Sequence, residues 1–287
     1  MSVTSKEIKL SQKVVMEIFF KNKIPSENEL YFRGTTLYKQ NKMKWEQLDS
    51  YYKPSEKLTN TENFIEYDIL LYPHGNRWLY ALDIPIKNIK NSTKNFDNSI
   101  TSKKNIIDIK RYSLTSALKY NILSNNLMPA LTVDRILNEK IDNALKKLKV
   151  SNLTDQQKST LLLKFFKDQN LTYTLKPQGL DINDPTDSFL FDSKNGYCVH
   201  FASAFATTAR LIGIPSRVVT GFKATKNNMV NNYLIVRSSD AHAWVELYIN
   251  KRGWSRFDPT STASNTISRK YPTKPTLAQK KKKIAIF

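Results

Sequence analysis

A single cysteine, Cys198, occurs in 287 residues, so no disulfide can form within the chain and any thiol chemistry belongs to that residue. No run of about eighteen apolar residues is present, and the start, Met1-Ser2-Val3-Thr4-Ser5-Lys6-Glu7, lacks the apolar stretch of a secretory signal. The sequence as it stands therefore reads as soluble. Its last residues, Ile284-Ala285-Ile286-Phe287, fit either a tail or the beginning of a truncated spanning helix. Acidic residues are in deficit, 25 against 45 Lys and Arg, for a net charge of +20. That excess suits anionic partners such as nucleic acid, lipid headgroups or acidic wall polymers. The lysines are scattered, however, and only Lys280-Lys281-Lys282-Lys283 forms a run, so surface solvation accounts for the same composition. No nucleic-acid-reading motif accompanies the charge, and a nucleic-acid partner is not expected.

What is present divides near residue 125. Before it, residues 14–20, 30–37, 64–71, 78–84 and 106–120 are rich in β-branched and aromatic side chains and read as strands, with Pro73-His74-Gly75-Asn76 as a hairpin turn between the third and fourth. This predicts a small all-β sandwich or barrel over residues 1–125. His74 reads as a turn residue, having no acidic or cysteine neighbour at ligand spacing. After it, Val133, Leu137, Ile141, Ala144, Leu145 and Leu148 fall on one helical face behind a possible N-cap, Thr132. A second helix is expected from Thr154, with Leu161, Leu162, Phe165 and Phe166 facing inward. Residues 171–194 read as loop, and a third helix opens near Gly196 and stops at Gly213 and Pro215. Strands follow at 217–222, 233–237, 241–249 and 254–257, with Lys251-Arg252-Gly253 as the last turn. Residues 126–265 thus form an α+β unit, helices first and an antiparallel sheet second, and 266–287 form a basic tail.

Cys198 sits at the start of the third helix, in Asn195-Gly196-Tyr197-Cys198-Val199-His200. A thiol there feels the positive end of the helix dipole and ionises more readily, Asn195 can cap, and the first-turn N–H groups can stabilise an oxyanion. A buried structural cysteine explains the same residue without chemistry. His200, two residues on along the helix, points away from the thiol. His242, on a strand face with Trp244 and Glu246, is the better base, and the hairpin through Lys251-Arg252-Gly253 returns Asp258 to its side. Spacing alone leaves this triad open, since Asp258-Pro259 is also an ordinary turn dipeptide.

Four blocks carry a resemblance: Asn195-Gly196-Tyr197-Cys198 with Phe201-Ala202-Ser203-Ala204-Phe205; Gly213-Ile214-Pro215-Ser216-Arg217-Val218-Val219-Thr220-Gly221-Phe222; Ser239-Asp240-Ala241-His242-Ala243-Trp244-Val245-Glu246; and Gly253-Trp254-Ser255-Arg256-Phe257-Asp258-Pro259-Thr260. In order, type and spacing they resemble the transglutaminase-like core. The resemblance implies a papain-like α+β core, helices packed on an antiparallel sheet, with Cys198, His242 and Asp258 as catalytic residues. Leu30-Tyr31-Phe32-Arg33-Gly34, Arg77-Trp78-Leu79-Tyr80-Ala81-Leu82-Asp83 and Leu171-Thr172-Tyr173-Thr174-Leu175 extend it to the bacterial, membrane-anchored subgroup of TgpA type. That kinship implies a region on the extracytoplasmic side of the inner membrane, attached through segments this sequence lacks. The calcium-binding elements of animal transglutaminases are not recognisable, so no metal and no cofactor are expected.

The reaction so implied is attack by the Cys198 thiolate on a side-chain or peptide amide, with His242 protonating the leaving amine and an amine or water accepting the acyl group. Transfer and hydrolysis need the same three groups, so a cysteine amidase or peptidase acting on peptide or peptidoglycan amides is the alternative. Tyr197 and Trp244 are candidates for substrate contact, Trp244 as a wall of the cleft. Arg217 is expected to order neighbouring strands, Glu246 to pair with a basic residue if it has no other task, and Asp240 to fix the turn into the His242 strand. A rival of another class is a catalytically silent module that binds an anionic envelope polymer.

Overall fold

The computed structural model describes residues 11–48, 54–133 and 139–265. A sheet of 11 strands organises the chain. Its main strands are β1 (Val14–Phe20), β2 (Tyr31–Leu37), β3 (Glu56–Leu71), β4 (Ala81–Leu82), β5 (Lys110–Ser124), β6 (Ser216–Lys223), β7 (Tyr233–Arg237), β8 (Ala241–Ile249) and β9 (Gly253–Phe257). In space they run Met229–Val230, β7, β1, β3, β5, β9, β8, β6, β2, β4. The pairings are antiparallel except between β5 and β9, where Ile122 lies beside Gly253. After β4 the backbone turns at Asp83, φ 43°, and Ile84–Pro85 pairs with β5 instead of β2. That switch closes the strands from β5 round to β4 on themselves.

Alternation explains why these segments are strands. Along the second half of β3, Ile65, Tyr67, Ile69 and Leu71 are buried while the residues between them are not, the period-two pattern of a sheet with one covered face. The described residues up to 124 hold strands, turns and one 3-10 turn, and the helices follow, so the chain is α+β with a β-rich N-terminal domain. Strands of the two parts nevertheless share the sheet: β1 pairs with β7, and β2 with β6.

Several expectations about the N-terminal strands differ from the structure. Residues 78–84 are not one strand, because the chain changes partner every few residues: Trp78–Leu79 pairs with Ile100–Ser102, β4 with β2, and Ile84–Pro85 with β5. For the same reason Pro73–Asn76 is a turn but not a hairpin, β3 pairing instead with β5 some forty residues further on. His74 takes the part expected of it, accepting the Asn76 N–H on Nδ1 at 3.2 Å. The strand expected at 106–120 lies at Lys110–Ser124.

Helices α1 (Glu139–Lys147), α2 (Asp155–Asp168) and α3 (Cys198–Leu211) cover one face of the sheet. The start of α1 inferred at Thr132 falls partly on 134–138, which lie outside the described residues, as does the basic tail from 266 onward. Thr154 opens α2 with a capping box, its Oγ1 accepting from Gln157 N–H and the Gln157 side chain accepting from Thr154 N–H. Within 171–194, read as loop, Asp184 and Pro185 start a helical turn, Pro185–Asp187, that runs on through Ser188–Ser193. Alanines 202, 204, 206 and 209 let α3 come close to Ala243, Val245, Leu247 and Ile249 of β8. The helix ends in a Schellman turn, Ile214 N–H bonding to Ala209 O and Gly213 N–H to Arg210 O, with Gly213 at φ 79°.

Candidate active site

α3 places Cys198 at its first residue, buried at 8% exposure. Tyr197 is the N-cap, not Asn195 as the sequence suggested. Asn195 and Gly196 instead pair in parallel with Thr172–Tyr173, and the Asn195 side chain bonds Ser193 O and Gln178 N–H. Gly196 is needed for space: a Cβ there would lie 2.7 Å from the Cβ of His200 and 2.9 Å from the Phe189 ring. His200 is a support for the helix start. Its Nδ1 accepts the Tyr197 N–H at 3.2 Å, its ring lies against Phe189 and Tyr197, and burial lowers its pKa to about 4, keeping it neutral.

His242 is the second residue of β8, opposite Gly221 of β6. Asp258 follows β9 directly and heads a 3-10 turn. The β8–β9 hairpin brings them together, with His242 Nε2 donating to Asp258 Oδ2 at 2.9 Å. Nδ1 is left for the sulfur, and the Cys198 thiol acts on the ring through hydrogen bonding and charge. Burial would lower the pKa of His242, but Asp258 and then Cys198 outweigh it and raise the pKa above the ordinary imidazole value. Asp258 moves the other way. Burial would raise it, and His242 and Lys223 hold it well below the carboxylate range.

Asp258 has two partners that the sequence reading did not name. Tyr31 Oη, from β2, and Lys223 Nζ, from β6, both donate to Oδ2, at 2.7 and 2.8 Å. Oδ1 is occupied by Thr260, through its N–H at 3.1 Å and its hydroxyl at 2.6 Å. Tyr31 lies inside one of the blocks that carried the resemblance, but nothing in a linear pattern ties it to an aspartate 227 residues later.

The two expected substrate contacts separate. Tyr197 is half-buried beside Cys198, whereas Trp244 is 1% exposed and packs behind His242 and edge-on to Tyr31, so it supports the imidazole and does not wall a cleft. Asp240 fixes the turn into β8, its Oδ2 accepting Arg237 N–H at 2.8 Å and Asn228 Nδ2 at 2.7 Å. Glu246 pairs with two arginines, Arg33 and Arg217, and Arg217 also pairs with Glu56 and lies 4.1 Å over Trp254. Among the described residues no group of three His, Cys, Asp or Glu side chains is gathered as metal ligands would be.

Residues 144–259 match the transglutaminase-like superfamily, and residues 4–123 match the TgpA N-terminal domain. The crystal structure of the periplasmic domain of TgpA from Pseudomonas aeruginosa superposes with a TM-score of 0.80 at 26% identity, over 88% of this chain and 89% of that one. This is a transglutaminase-like chain of TgpA type. The same domain bound to ethylmercury gives a TM-score of 0.79 over 92% of its length. The protein-glutamine gamma-glutamyltransferase of P. aeruginosa is 27% identical over 88% of this chain, and an uncharacterized protein, YebA, of Bacillus subtilis is 38% identical over 29% of it. The chain spans about two fifths of the first relative's length, 39%, and 12% of the second's. The site residues Cys198, His242, Asp258 and Lys223 lie in the segment that matches the superfamily, and Tyr31 in the segment that matches the N-terminal domain.

Proposed function

We propose that this chain is the catalytic region of a cysteine-dependent acyltransferase that works on the amides of proteins or peptides. The observation that carries the reading is the convergence of Cys198, His242 and Asp258 at one end of the sheet, on a chain similar along most of its length to the TgpA periplasmic domain. The Cys198 thiolate attacks the amide carbonyl carbon, and the tetrahedral oxyanion is met by the backbone N–H groups that open α3. His242, as imidazolium, gives its proton to the departing nitrogen, and the C–N bond breaks to leave a thioester on Cys198. An amine then attacks the thioester while His242 takes its proton, and the C–S bond breaks to release Cys198 as thiolate beside the imidazolium. Asp258 keeps the imidazole oriented with Nε2 engaged and steadies its charged form.

The glutamine side chain is the first acyl donor to test, following the name of the P. aeruginosa relative, with a primary amine as acceptor. The matched periplasmic structure supports an extracytoplasmic site of action, with membrane attachment through other parts of a longer protein. No described helix is long and apolar enough to cross a membrane. An anionic envelope polymer remains a proposed partner of the positive surface. The test is incorporation of a fluorescent primary amine into casein together with ammonia release, by the wild type and by Cys198→Ala. Incorporation by the wild type, lost in the variant, is the expected result. Ammonia or peptide release without incorporation would replace transfer by hydrolysis, and amine incorporation that survives in Cys198→Ala would overturn the role of the thiol.

A further inference from the structure

Asp258 is held from both parts of the chain. Its Oδ2 takes three donors, from His242, Lys223 and Tyr31, and its Oδ1 takes two from Thr260. Two of these bonds, from His242 and Lys223, come from the segment that matches the transglutaminase-like superfamily, and those from Thr260 come from just past its end; the fifth, from Tyr31, comes from the N-terminal segment. Tyr31 is itself fixed. It is 5% exposed, its ring meets Trp244 edge-on at 5.3 Å, and the cations of Lys223 and Arg256 lie 5.0 and 4.3 Å from its centroid. Arg256 is in turn paired with Asp83 at 3.2 Å and bonded to Asn28 O at 3.1 Å, both in the N-terminal segment.

We propose that Tyr31 is a positioning residue for the acyl-transfer site, locking the Asp258 carboxylate and drawing charge from the oxygen that faces His242. The inference rests on the reading of Cys198, His242 and Asp258 as the reacting set. It gives the N-terminal domain a direct part in the chemistry: the site is incomplete without a hydroxyl from β2. The groups that act on His242 are Asp258 and the Cys198 thiol, and those that act on Asp258 are His242, Lys223, Tyr31 and Thr260, with Arg256 and Asp83 one step behind Tyr31. Removing the phenol donor leaves more of the carboxylate's charge on the imidazole, so the imidazolium becomes a weaker acid and gives its proton less readily to the leaving amine.

The experiment is Tyr31→Phe in the whole chain, which keeps the ring between Lys223 and Arg256 and deletes only the hydroxyl. Amine incorporation is followed from acid to alkaline pH, the titration of the His242 imidazole is read by NMR, and the melting temperature is taken alongside. The expected result is a kcat lower by about tenfold with KM unchanged, within what a hydrogen bond to a charged group is worth. The His242 titration and the alkaline limb both move to higher pH. Lys223→Met should move both in the same direction and further, since it removes a full charge. If Tyr31→Phe does not fold, 3-fluorotyrosine at position 31 keeps the bond and strengthens the donor, and the limb then moves to lower pH. An unchanged kcat with an unmoved titration, whatever the melting temperature does, overturns the proposal. So does a shift to lower pH in the phenylalanine variant. Wild-type activity that is lost in Cys198→Ala while Tyr31→Phe behaves as wild type would sink this inference alone and leave the reacting set standing.

Discussion

At the scale of single residues, the central relation is the opposed displacement of two neighbours: Asp258 held far down and His242 held up, each chiefly by the other once burial is overcome. A histidine raised in this way stays protonated to higher pH, so it can act as a proton donor where an ordinary imidazole is neutral. Asp258→Asn removes the charge that outweighs burial. The titration of His242 should then fall, the alkaline limb of amine incorporation should move to lower pH, and kcat should drop on the order of a hundredfold or more. Cys198, His242 and Asp258 could be put forward together from the sequence because their blocks have a fixed order and type; the structure pairs His242 with Asp258, and the catalytic role of the three is the proposal. The role of His200 was half visible: two residues along a helix it cannot share a side with Cys198, but its bond back to Tyr197 N–H is a matter of tertiary packing. Trp244 was misplaced, because a tryptophan two residues from a candidate base gives no sign of whether its face meets solvent or a second aromatic such as Tyr31.

Among elements, those with a strong local pattern could be read from the sequence and those defined by partner exchange could not. α2 has its capping box at Thr154 and α3 its alanines and glycine stop, signals contained within a dozen residues. Residues 78–84 have the composition of one strand, yet three partners divide them, and composition does not record a partner. The seam between β2 and β6 likewise depends on a glycine whose purpose appears only in three dimensions. A Cβ on Gly221 would stand 2.0 Å from Phe32 O, where the register shifts between Thr220 and Gly221. Gly221→Ala should therefore push β2 away from β6 and cost about 1–3 kcal/mol or more, measurable as a fall in the midpoint of denaturant unfolding. Because Gly221 pairs with His242 across β6 and β8, activity should fall further than the population of unfolded chains alone explains.

Across the whole molecule, the two parts divided near residue 125 in the sequence are joined by a buried ionic cluster as well as by strands. Arg33 from β2 and Arg217 from β6 meet on Glu246 of β8, and Arg217 reaches Glu56 of β3. Burial would raise the pKa of Glu246, but the two guanidinium groups reverse this and hold it at about 2. Glu246→Gln leaves the arginines short of a counter-charge in the interior and should cost about 3 kcal/mol at neutral pH. A carboxylate whose folded pKa is depressed stabilises above its ordinary value and loses that stabilisation as pH falls through the folded one. The stability gap between wild type and Glu246→Gln should therefore narrow as pH drops from the ordinary 4.5 toward about 2, which chemical denaturation at a series of pH values would follow. A gap that stays constant over that window would mean that Glu246 is not the group being titrated. The cluster, Tyr31 and the shared sheet together give the N-terminal domain a structural hold on the site that a mere spacer would not have. The proposed chemistry rests on Cys198 and His242 forming a thiolate–imidazolium pair oriented by Asp258. The most direct measurement is the rate at which iodoacetamide alkylates Cys198 across pH. Such a pair reacts fast and at a single site already near about pH 6, well below the value of about 8.5 at which an ordinary thiol ionises, and the reaction is lost in His242→Ala. A rate that climbs only near the ordinary thiol value, the same with and without the imidazole, would contradict it.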